Sequence, residues 1–343
     1  MTETTLAPPT VAIVQVRHVL AGARARGLDL GPLLARAGIA PALLDSPLAR
    51  VSQGQYAMLL RALRRATRCE LWGLLSRPVP PGSFGQCAAQ LVHCKTLEEA
   101  LRKGFAFHHL LIDDFTARLS VQGGLARVQI VRHAPFNARL DYAQKAFLLF
   151  GFGLASWLVA RRVPIVEVDY TVAMPGSDSS RVYQAPIRAG RPHLGFTFES
   201  RWLALPVVQN PQSLREFLAR APANLLIKYR DPGSSTERIR RLLRRHLGLG
   251  DELPSLEEVG TALGMTPQTL RRRLRDEGRG YQELKDDLRR DTAIALLAQP
   301  ELTLIDIAAQ VGFSEASTFH RAFKKWTGVA PGEYRHTRIA GPA

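Results

Sequence analysis

Two segments near the end of this 343-residue chain carry side chains that can hydrogen-bond to bases beside side chains suited to a helical core. In residues 266–277, Leu270 and Leu274 are four apart and share one helix face, while most other positions are polar or basic. Arginine can pair with guanine in the major groove of DNA, and glutamine can pair with adenine. We predict that six residues of this segment contact DNA: Gln268, Thr269, Arg271, Arg272, Arg273 and Arg275.

The position of a residue along such a helix decides what it can reach. A recognition helix contacts bases mainly from its N-terminal half. We therefore expect Gln268, Arg271 and Arg272 to read bases. We expect Arg273 and Arg275 to meet phosphate or solvent.

The second segment, residues 316–327, repeats this layout with aromatic core residues. Phe319, Phe323 and Trp326 fall at helical spacing, and the small Ala316 near the start allows a close approach to DNA. Four outward residues are predicted to contact DNA: Ser317, His320, Arg321 and Lys324.

Each basic segment follows a short helix and a glycine turn, and this order is the sequence form of a helix-turn-helix. Each short helix opens on a capping-box pattern, in which Ser or Thr is followed three residues later by an acid. The capping pairs are Ser255 with Glu258 and Thr303 with Asp306, the turn glycines are Gly264 and Gly312, and the predicted caps of the basic helices are Thr266 and Ser314.

One uninterrupted helical stretch, residues 281–299, joins the two copies. About 18 helical residues span about 27 Å at 1.5 Å per residue. This length approaches the ~34 Å between successive major-groove segments on one face of DNA. One chain could thus contact two adjacent segments. The alternative is a helical bundle whose arginines face solvent, and the duplication argues against it.

The distribution of charge limits what the total charge indicates. The net charge is +16, but residues 1–233 hold 28 Lys and Arg against 15 Asp and Glu, whereas residues 234–343 hold 18 against 15. The DNA interpretation therefore depends on where the charges lie. The arginine-rich stretches RHVLAGARAR and RALRRAT in the N-terminal half are interpreted as solvated faces, with a role near DNA phosphate or an acidic partner as the alternative.

Residues 255 to about 335 resemble the AraC-type transcriptional regulators. The resemblance is carried by DIAAQVGFSEASTFHRAFKKWTGVAPGEYR, Asp306 to Arg335, and by the preceding LGMTPQTLRRRL. It implies a seven-helix DNA-binding domain. Ala316 stands where some members have a long polar residue, which implies weaker base reading by the second basic helix. The base-contacting positions of the family fall on Gln268, Arg271, Arg272, Ala316, Ser317, His320 and Arg321.

The N-terminal part mixes helical and strand patterns and predicts an α+β domain. Helical spacing covers residues 11 to about 80, with Ser52 predicted as a helix cap, and Thr96-x-x-Glu99 is a capping-box pattern. Strands are predicted for FTARLSVQ, LARVQIVR, IVEVDYTV and HLGFTFES, with a tight hairpin between the first two. A helix is predicted over about 139–162. Its apolar run is shorter than the ~20 residues that cross a bilayer, so we expect it in the core.

Two stretches, FGQCAAQLVHCKTLEEALRKGFAFHHLL and LGFTFESRWLALPV, resemble the arabinose-binding-type sensor domain of one AraC subfamily, similar to ornithine-utilisation regulators. The resemblance implies effector binding and self-association. The residues around GFAFHHLLIDDF suit an effector with an apolar body and an anionic head. The candidate effector contacts are Phe105, Phe107, His108 and His109.

Other kinds of site have little support in the sequence. His108 and His109 diverge by ~100° on a helix and cannot easily face one metal ion together with Asp113 or Asp114. The three cysteines form no zinc cluster, which disfavours the alternative function, a DNA-repair methyl-acceptor enzyme with an AraC-type domain. We expect no metal, no cofactor and no catalytic residue.

These patterns predict an N-terminal α+β sensor and dimerisation domain over residues 1–229, a linker over 230–236, and an all-α domain over 237–343. The last contains two helix-turn-helix units joined by a linker helix. We expect a cytoplasmic, nucleoid-associated homodimer that binds double-stranded promoter DNA and a small-molecule effector. RNA polymerase is a further candidate partner, and no membrane contact is expected.

Overall fold

A computed structural model describes residues 10–221, 235–247, 253–277 and 280–339. These residues form two compact units. The α+β unit comprises residues 15–33 and 57–221, and the helical unit comprises residues 10–14, 34–56 and those described from 235 onward. Most of the predicted linker, 230–236, lies outside the described residues.

The elements follow one another from strands and helices to helices alone. In chain order they are β1 (Thr10–Ala12), α1 (Ile13–Arg24), α2 (Gly31–Arg36), β2 (Arg50–Ser52), α3 (Gln53–Thr67), α4 (Ser83–Leu91), α5 (Leu97–His109), β3 (Phe115–Gln122), β4 (Leu125–Arg132), α6 (Ala138–Leu158), β5 (Ile165–Asp169), α7 (Ser179–Tyr183), β6 (Ile187–Arg188), β7 (Leu194–Glu199), α8 (Pro211–Arg220), α9 (Ser235–His246), α10 (Leu256–Leu263), α11 (Pro267–Asp276), α12 (Tyr281–Leu296), α13 (Leu304–Gln310), α14 (Ala316–Thr327) and α15 (Pro331–Ile339).

The α+β unit contains a five-stranded sheet of order β3-β4-β7-β5-β6, in which β5 and β6 are parallel and the other neighbours antiparallel. The predicted hairpin is present: Gln122 pairs with Leu125 around Gly123 and Gly124. Both glycines have positive φ, 56° and 77°. Two successive positive φ angles match the right-handed twist of the flanking strands and favour glycine.

Polar side chains fix the starts of the helices in this part of the chain. The Ser52 hydroxyl accepts a hydrogen bond from the Gln55 N–H at 3.2 Å at the start of α3. Thr96 caps α5 by accepting from the Glu99 N–H. The Glu99 carboxylate, however, accepts from the Lys95 N–H at 2.8 Å, one residue before the predicted capping-box partner.

Helix α6 crosses the core of the α+β unit and is buried along most of its length. It ends at Leu158, and Ala160 turns the chain with a φ of 49°. Within the described ranges, no helix has both the length and the apolar character needed to span a membrane.

The helical unit holds two apolar clusters, one for each predicted helix-turn-helix. In the first, Leu270 and Leu274 of α11 are buried against α9, α10 and α12. In the second, the Phe319 and Phe323 rings lie 5.7 Å apart, and Phe323 meets Tyr334 of α15 edge-on at 5.6 Å. Each basic helix thus packs into the helical unit through its apolar residues, and its polar residues face away from the core.

Strands β1 and β2 belong to the helical unit, although almost 200 residues separate them from α9, the first helix of its C-terminal part. The Thr10 hydroxyl donates to the Asp291 carboxylate of α12, and Arg50 Nε donates to the Thr10 hydroxyl at 2.7 Å. The Ser46 hydroxyl donates to the backbone carbonyl of Thr327 at 3.0 Å. These hydrogen bonds therefore attach the strand pair to α12 and the segment before β2 to α14.

Candidate nucleic-acid interface and ligand cavity

Helix α11 presents a polar face opposite its buried leucines. Leu270 and Leu274 are 0% and 1% exposed, and Thr266 caps the helix by accepting from the Thr269 N–H at 3.2 Å. The predicted arginines are all exposed, as is Gln268, whereas Thr269 is half-buried. One concave surface is lined by Gln268, Thr269, Arg271, Arg272 and Arg275.

The spacing of this face separates the arginines into two groups. Gln268, Arg271, Arg272 and Arg275 follow the i, i+3, i+4, i+7 pattern that places residues on one side of a helix. Arg273 is exposed but does not line the concave surface. Arg275 therefore shares the side that carries the three predicted base-reading residues, and Arg273 does not.

Helix α14 has the same arrangement 49 residues later in the chain. Ser317, His320, Arg321 and Lys324 are exposed and repeat the i, i+3, i+4, i+7 spacing. Phe319 and Phe323 occupy the places of Leu270 and Leu274, and both are fully buried. The two helices thus present equivalent four-residue faces.

The turns that lead into the two helices differ by one residue. Thr266 lies two positions after Gly264 and caps α11. In the second copy, α14 begins at Ala316, and its N-cap, Glu315, lies three positions after Gly312 and makes no side-chain hydrogen bond to the backbone. The prediction that Ser314 caps this helix is wrong, because the longer turn places Ser314 before the cap position.

The acids predicted to act as caps do so and stay off both exposed faces. Glu258 accepts from the Ser255 N–H at 2.7 Å, and Asp306 accepts from the Thr303 N–H at 2.8 Å. Hydrogen bonds from Ser255 lower the pKa of Glu258, and hydrogen bonds from Thr303 lower the pKa of Asp306. Both carboxylates are therefore kept charged as helix caps.

One acid, Glu257 of α10, does reach a predicted base-reading residue. Its carboxylate lies 3.6 Å from the Arg271 guanidinium, and both side chains are more than 60% exposed. Exposed ion pairs of this kind contribute about 0.2–1 kcal/mol. The pair orients Arg271 weakly and leaves it able to exchange Glu257 for an anionic partner.

Arg289 of α12 contacts the turn of the second helix-turn-helix, a contact that the sequence did not predict. Its Nε and Nη2 each donate a 3.2 Å hydrogen bond, to the carbonyls of Val311 and Gly312. Its guanidinium lies 4.9 Å from the centre of the Phe313 ring. Arg289 therefore links the α12 helix to the turn that positions α14.

The α+β unit contains a cavity of about 620 Å³. Its walls come from α3, α4, α5, α6 and α8 and are mostly apolar. Of the four predicted effector contacts, Phe105 and His108 line this cavity. Phe107 packs against an apolar cluster that includes Trp157 and Phe217, and His109 is exposed.

His108 is held in the neutral state at the wall of the cavity. Burial lowers its pKa, although the hydrogen bond with the Gly104 carbonyl favours the charged form. Its Nδ1 lies 2.9 Å from that carbonyl oxygen, so the Nδ1 nitrogen carries the proton. The ring meets Phe147 edge-on at 5.1 Å. Nitrogen and ring contacts thus fix the orientation of this residue.

The arginines of RALRRAT, interpreted from the sequence as a solvated face, also border the cavity. Arg61, Arg64 and Arg65 of α3 all line it. Their i, i+3, i+4 spacing places them on one side of α3. The spacing is visible in the sequence, but which elements pack beside that side of the helix is not.

The aspartates and cysteines considered for metal or thiol chemistry are paired with other residues or buried. Asp113 pairs with Arg77 at 2.6 Å, and Asp114 accepts from the Ser76 hydroxyl at 2.8 Å. All three cysteines are buried. Burial raises the pKa of Cys87 to about 12 and also raises that of Cys94. Such thiols are poor nucleophiles because the thiolate is the reactive form.

Comparison with known families gives two matches. Residues 27–207 match the family described as the arabinose-binding domain of AraC transcription regulator, N-terminal. Residues 259–337 match a helix-turn-helix domain. The first match covers much of the α+β unit, and the second contains both exposed faces.

Several relatives are similar over nearly their whole length. The chain is 26% identical to the ornithine utilization regulator of Pseudomonas aeruginosa over 90% of this chain and 91% of that protein. It is 28% identical to the HTH-type transcriptional regulator VirS of Mycobacterium tuberculosis, over 91% and 92%. A solved structure, the transcriptional regulator CdpR of P. aeruginosa, has 22% identity over 94% of this chain and 98% of that one, with a TM-score of 0.29. These relatives are transcription regulators, not enzymes.

Proposed function

Because the chain belongs to the AraC family of transcription regulators, we propose that it binds promoter DNA through the exposed faces of α11 and α14 and that a small molecule in the cavity modulates this binding. The observation that carries the proposal is the repeated face. Each basic helix exposes four residues at i, i+3, i+4 and i+7, of which the first is uncharged and the last is a cation. The opposite side of each helix carries two fully buried apolar residues.

The chemistry of each face supports a division of roles along the helix. On α11, Gln268, Arg271 and Arg272 lie toward the N-terminal half, where base contacts are made. Arg275 lies one turn further along the same side, and we assign it to phosphate. Phosphate contacts fix the register of a protein on DNA without specifying sequence.

On α14 the first residue of the corresponding face has a shorter side chain. Ser317 replaces glutamine, and its hydroxyl donates to the Glu315 carboxylate at 3.1 Å. His320 and Arg321 can donate to guanine, and Lys324 takes the phosphate position. We therefore assign more of the base discrimination to α11 than to α14.

The helix between the two copies has a length suited to one turn of DNA. Helix α12 contains 16 residues, which span about 24 Å. With the width of the flanking helices added, this approaches the ~34 Å between successive major-groove segments. The two faces are thus proposed to read adjacent segments of one operator.

Regulation is proposed to occur through a shift in the populations of two conformations of the α+β unit. An effector that binds one conformation of the α+β unit more tightly than another changes the affinity of the helical unit for DNA. The protein is proposed to act as a homodimer in the cytoplasm, on nucleoid DNA, with RNA polymerase as a further partner.

The test uses DNA selected from a random pool by the full-length protein. Arg272→Ala should weaken binding to the selected site about tenfold or more, because a lost bidentate arginine–guanine contact costs ~1–3 kcal/mol. Arg273→Ala removes the same charge from the other side of α11 and should leave sequence discrimination unchanged. Equal losses in the two variants would refute the assigned face.

A further inference from the structure

The cavity of the α+β unit has the size and walls of a small-molecule site. Its volume of about 620 Å³ lies within the ~300–1,000 Å³ usual for such sites. Phe84, Phe147, Phe150, Leu154 and Leu158 are among the residues that line it. Few polar groups are available there, so a polyol would leave hydroxyl groups without partners at a cost of ~1–3 kcal/mol each. The walls favour a ligand with an apolar body.

Charge is concentrated at one side of the cavity. Of the charged lining residues that the structure describes, Arg61, Arg64 and Arg65 lie on α3, and Glu70 is the single acid. Glu70 is already engaged: it lies 3.8 Å from the Arg64 guanidinium and accepts a hydrogen bond from the Gly82 N–H. The guanidinium groups of Arg61 and Arg65 therefore leave this side of the cavity with a positive charge.

Arg61 and Arg65 retain donor capacity toward a ligand. Arg61 donates from Nη2 to the backbone carbonyl of Ala221 at 3.1 Å. A guanidinium carries five N–H donors in a planar fork that matches a carboxylate. One hydrogen bond to a backbone carbonyl thus leaves Arg61 with several donors, and Arg65 adds a second fork four residues later on the same side of α3.

Among the described residues, the rest of the cavity wall adds no further charge. His108 is neutral because burial lowers its pKa, and the Cys87 thiol keeps its proton because burial raises its pKa to about 12. The two residues touch, with His108 Nδ1 3.9 Å from Cys87 Sγ. This part of the cavity is therefore suited to an uncharged group.

Gly151 of α6 marks where a ligand chain has room. It lines the cavity, and a Cβ atom built on it would meet no atom within 4 Å. A Cβ on Gly104, in contrast, would lie 3.3 Å from Leu91 Cδ1. The open space of the cavity therefore lies directly against the α6 backbone at Gly151.

We infer that this cavity binds an amphipathic monocarboxylate, with its apolar chain or ring along α6 at Gly151 and its carboxylate beside Arg61 and Arg65. The inference rests on the proposed function only in taking the bound molecule to be the effector. The arrangement selects by charge at one side and by apolar contact at the other. A cationic amphipath would meet the arginines and be repelled.

The probes are decanoate, 1-decanol and decylamine, titrated separately into the full-length protein by calorimetry, without DNA and below micelle-forming concentrations. Decanoate should bind about tenfold or more tightly than decanol, and decylamine should bind most weakly, because charge-assisted hydrogen bonds to a carboxylate exceed neutral ones. Decanol or decylamine binding as tightly as decanoate, or no binding by decanoate, would overturn the inference.

Two variants with matched controls locate the bound molecule. The double variant Arg61→Ala/Arg65→Ala should weaken decanoate binding about tenfold and change decanol binding less than about twofold, whereas Arg68→Gln, outside the cavity lining, should change neither. Gly151→Leu should weaken binding of both probes about tenfold or more, because its side chain occupies the space beside α6 that the ligand chain needs, and Gly151→Ala should preserve binding. Unchanged decanoate binding in both the arginine pair and Gly151→Leu would place the ligand elsewhere.

These titrations contain no DNA, so their failure is distinct from a failure of the proposed DNA interface. Loss of the charge preference would remove the ligand class and leave the α11 and α14 faces untouched. If Gly151→Leu does not fold, the arginine pair still decides the outcome, since both side chains are exposed.

Discussion

The phenolic hydroxyl of Tyr334 donates a 2.7 Å hydrogen bond to the backbone carbonyl of Arg50, 284 residues earlier in the chain. Tyr334 is 1% exposed and packs edge-on against Phe323 of α14. The contact joins strand β2 to α15 within the helical unit. A DNA-binding unit that begins at residue 235 would therefore lack one of its own packing partners.

This contact predicts that Tyr334→Phe lowers the free energy of unfolding of the helical unit by about 1 kcal/mol, the value of one buried hydrogen bond. Urea unfolding of the full-length variant measures the loss. A fragment of residues 235–343 should melt at lower temperature than a protein that retains β1 and β2. If the fragment is as stable as the whole helical unit, the strand pair contributes no stability.

Local sequence patterns were sufficient to predict the two basic helices. The four-residue spacing of Leu270 with Leu274 and of Phe319 with Phe323 defines each buried side, and the capping pairs mark where the preceding helices begin. Both signals act within one or two turns of chain, so they need no knowledge of the tertiary fold. The cap of α14 differs from the prediction because the second turn is one residue longer, which places Glu315 and not Ser314 at the N-cap.

Contacts between distant segments could not be predicted in this way. Nothing in the residues around Arg50 indicates that its carbonyl meets Tyr334. Likewise, RALRRAT shows a basic helix side, but only the packing of α3 near α4, α6 and α8 makes that side the border of a cavity. Such contacts depend on elements brought together by the sheet and the core.

The link between α12 and the second turn predicts a role for Arg289 in positioning α14. Arg289→Ala removes both hydrogen bonds to the Val311 and Gly312 carbonyls and the contact with Phe313. We expect a loss of about 1–3 kcal/mol in stability, because the bonds involve a charged donor. Arg289→Lys should lose less, since lysine can replace one of the two bonds. An alanine variant as stable as the original protein would show that Arg289 does not stabilise the turn.

Burial of His108 predicts a dependence of stability on pH. Its pKa in the folded protein lies below the ordinary 6.5, chiefly because burial disfavours the charged form. As pH falls below 6.5, the unfolded chain takes up this proton before the folded protein does, and the folded state is destabilised. The free energy of unfolding should therefore fall between pH 7 and pH 5.

The variant His108→Phe should show a smaller fall over the same range in denaturant unfolding at a series of pH values. Some dependence should persist, because burial also lowers the pKa of His18. Identical pH profiles for the variant and the original protein would mean that His108 titrates alike in the folded and unfolded states.

The exposed pair of Glu257 and Arg271 predicts that one acid restrains DNA binding. Glu257→Gln removes a negative charge 3.6 Å from a predicted base-reading guanidinium. Affinity for DNA of arbitrary sequence should rise about two- to threefold at low salt, in line with the ~0.2–1 kcal/mol of an exposed pair. The difference should disappear at high salt, where such charges are screened. Equal affinities at low salt would show that Glu257 has no such effect.

A base-substitution scan of the selected DNA site tests most directly the claim that two equivalent helix faces read two adjacent major-groove segments. Binding of the full-length protein to each substituted site should be weakened at two clusters of positions, with centres about one helical turn, ~10 base pairs, apart. Arg272→Ala should relax discrimination in one cluster only, and Arg321→Ala in the other only. A single cluster, or relaxation of the same positions by both variants, would contradict the account.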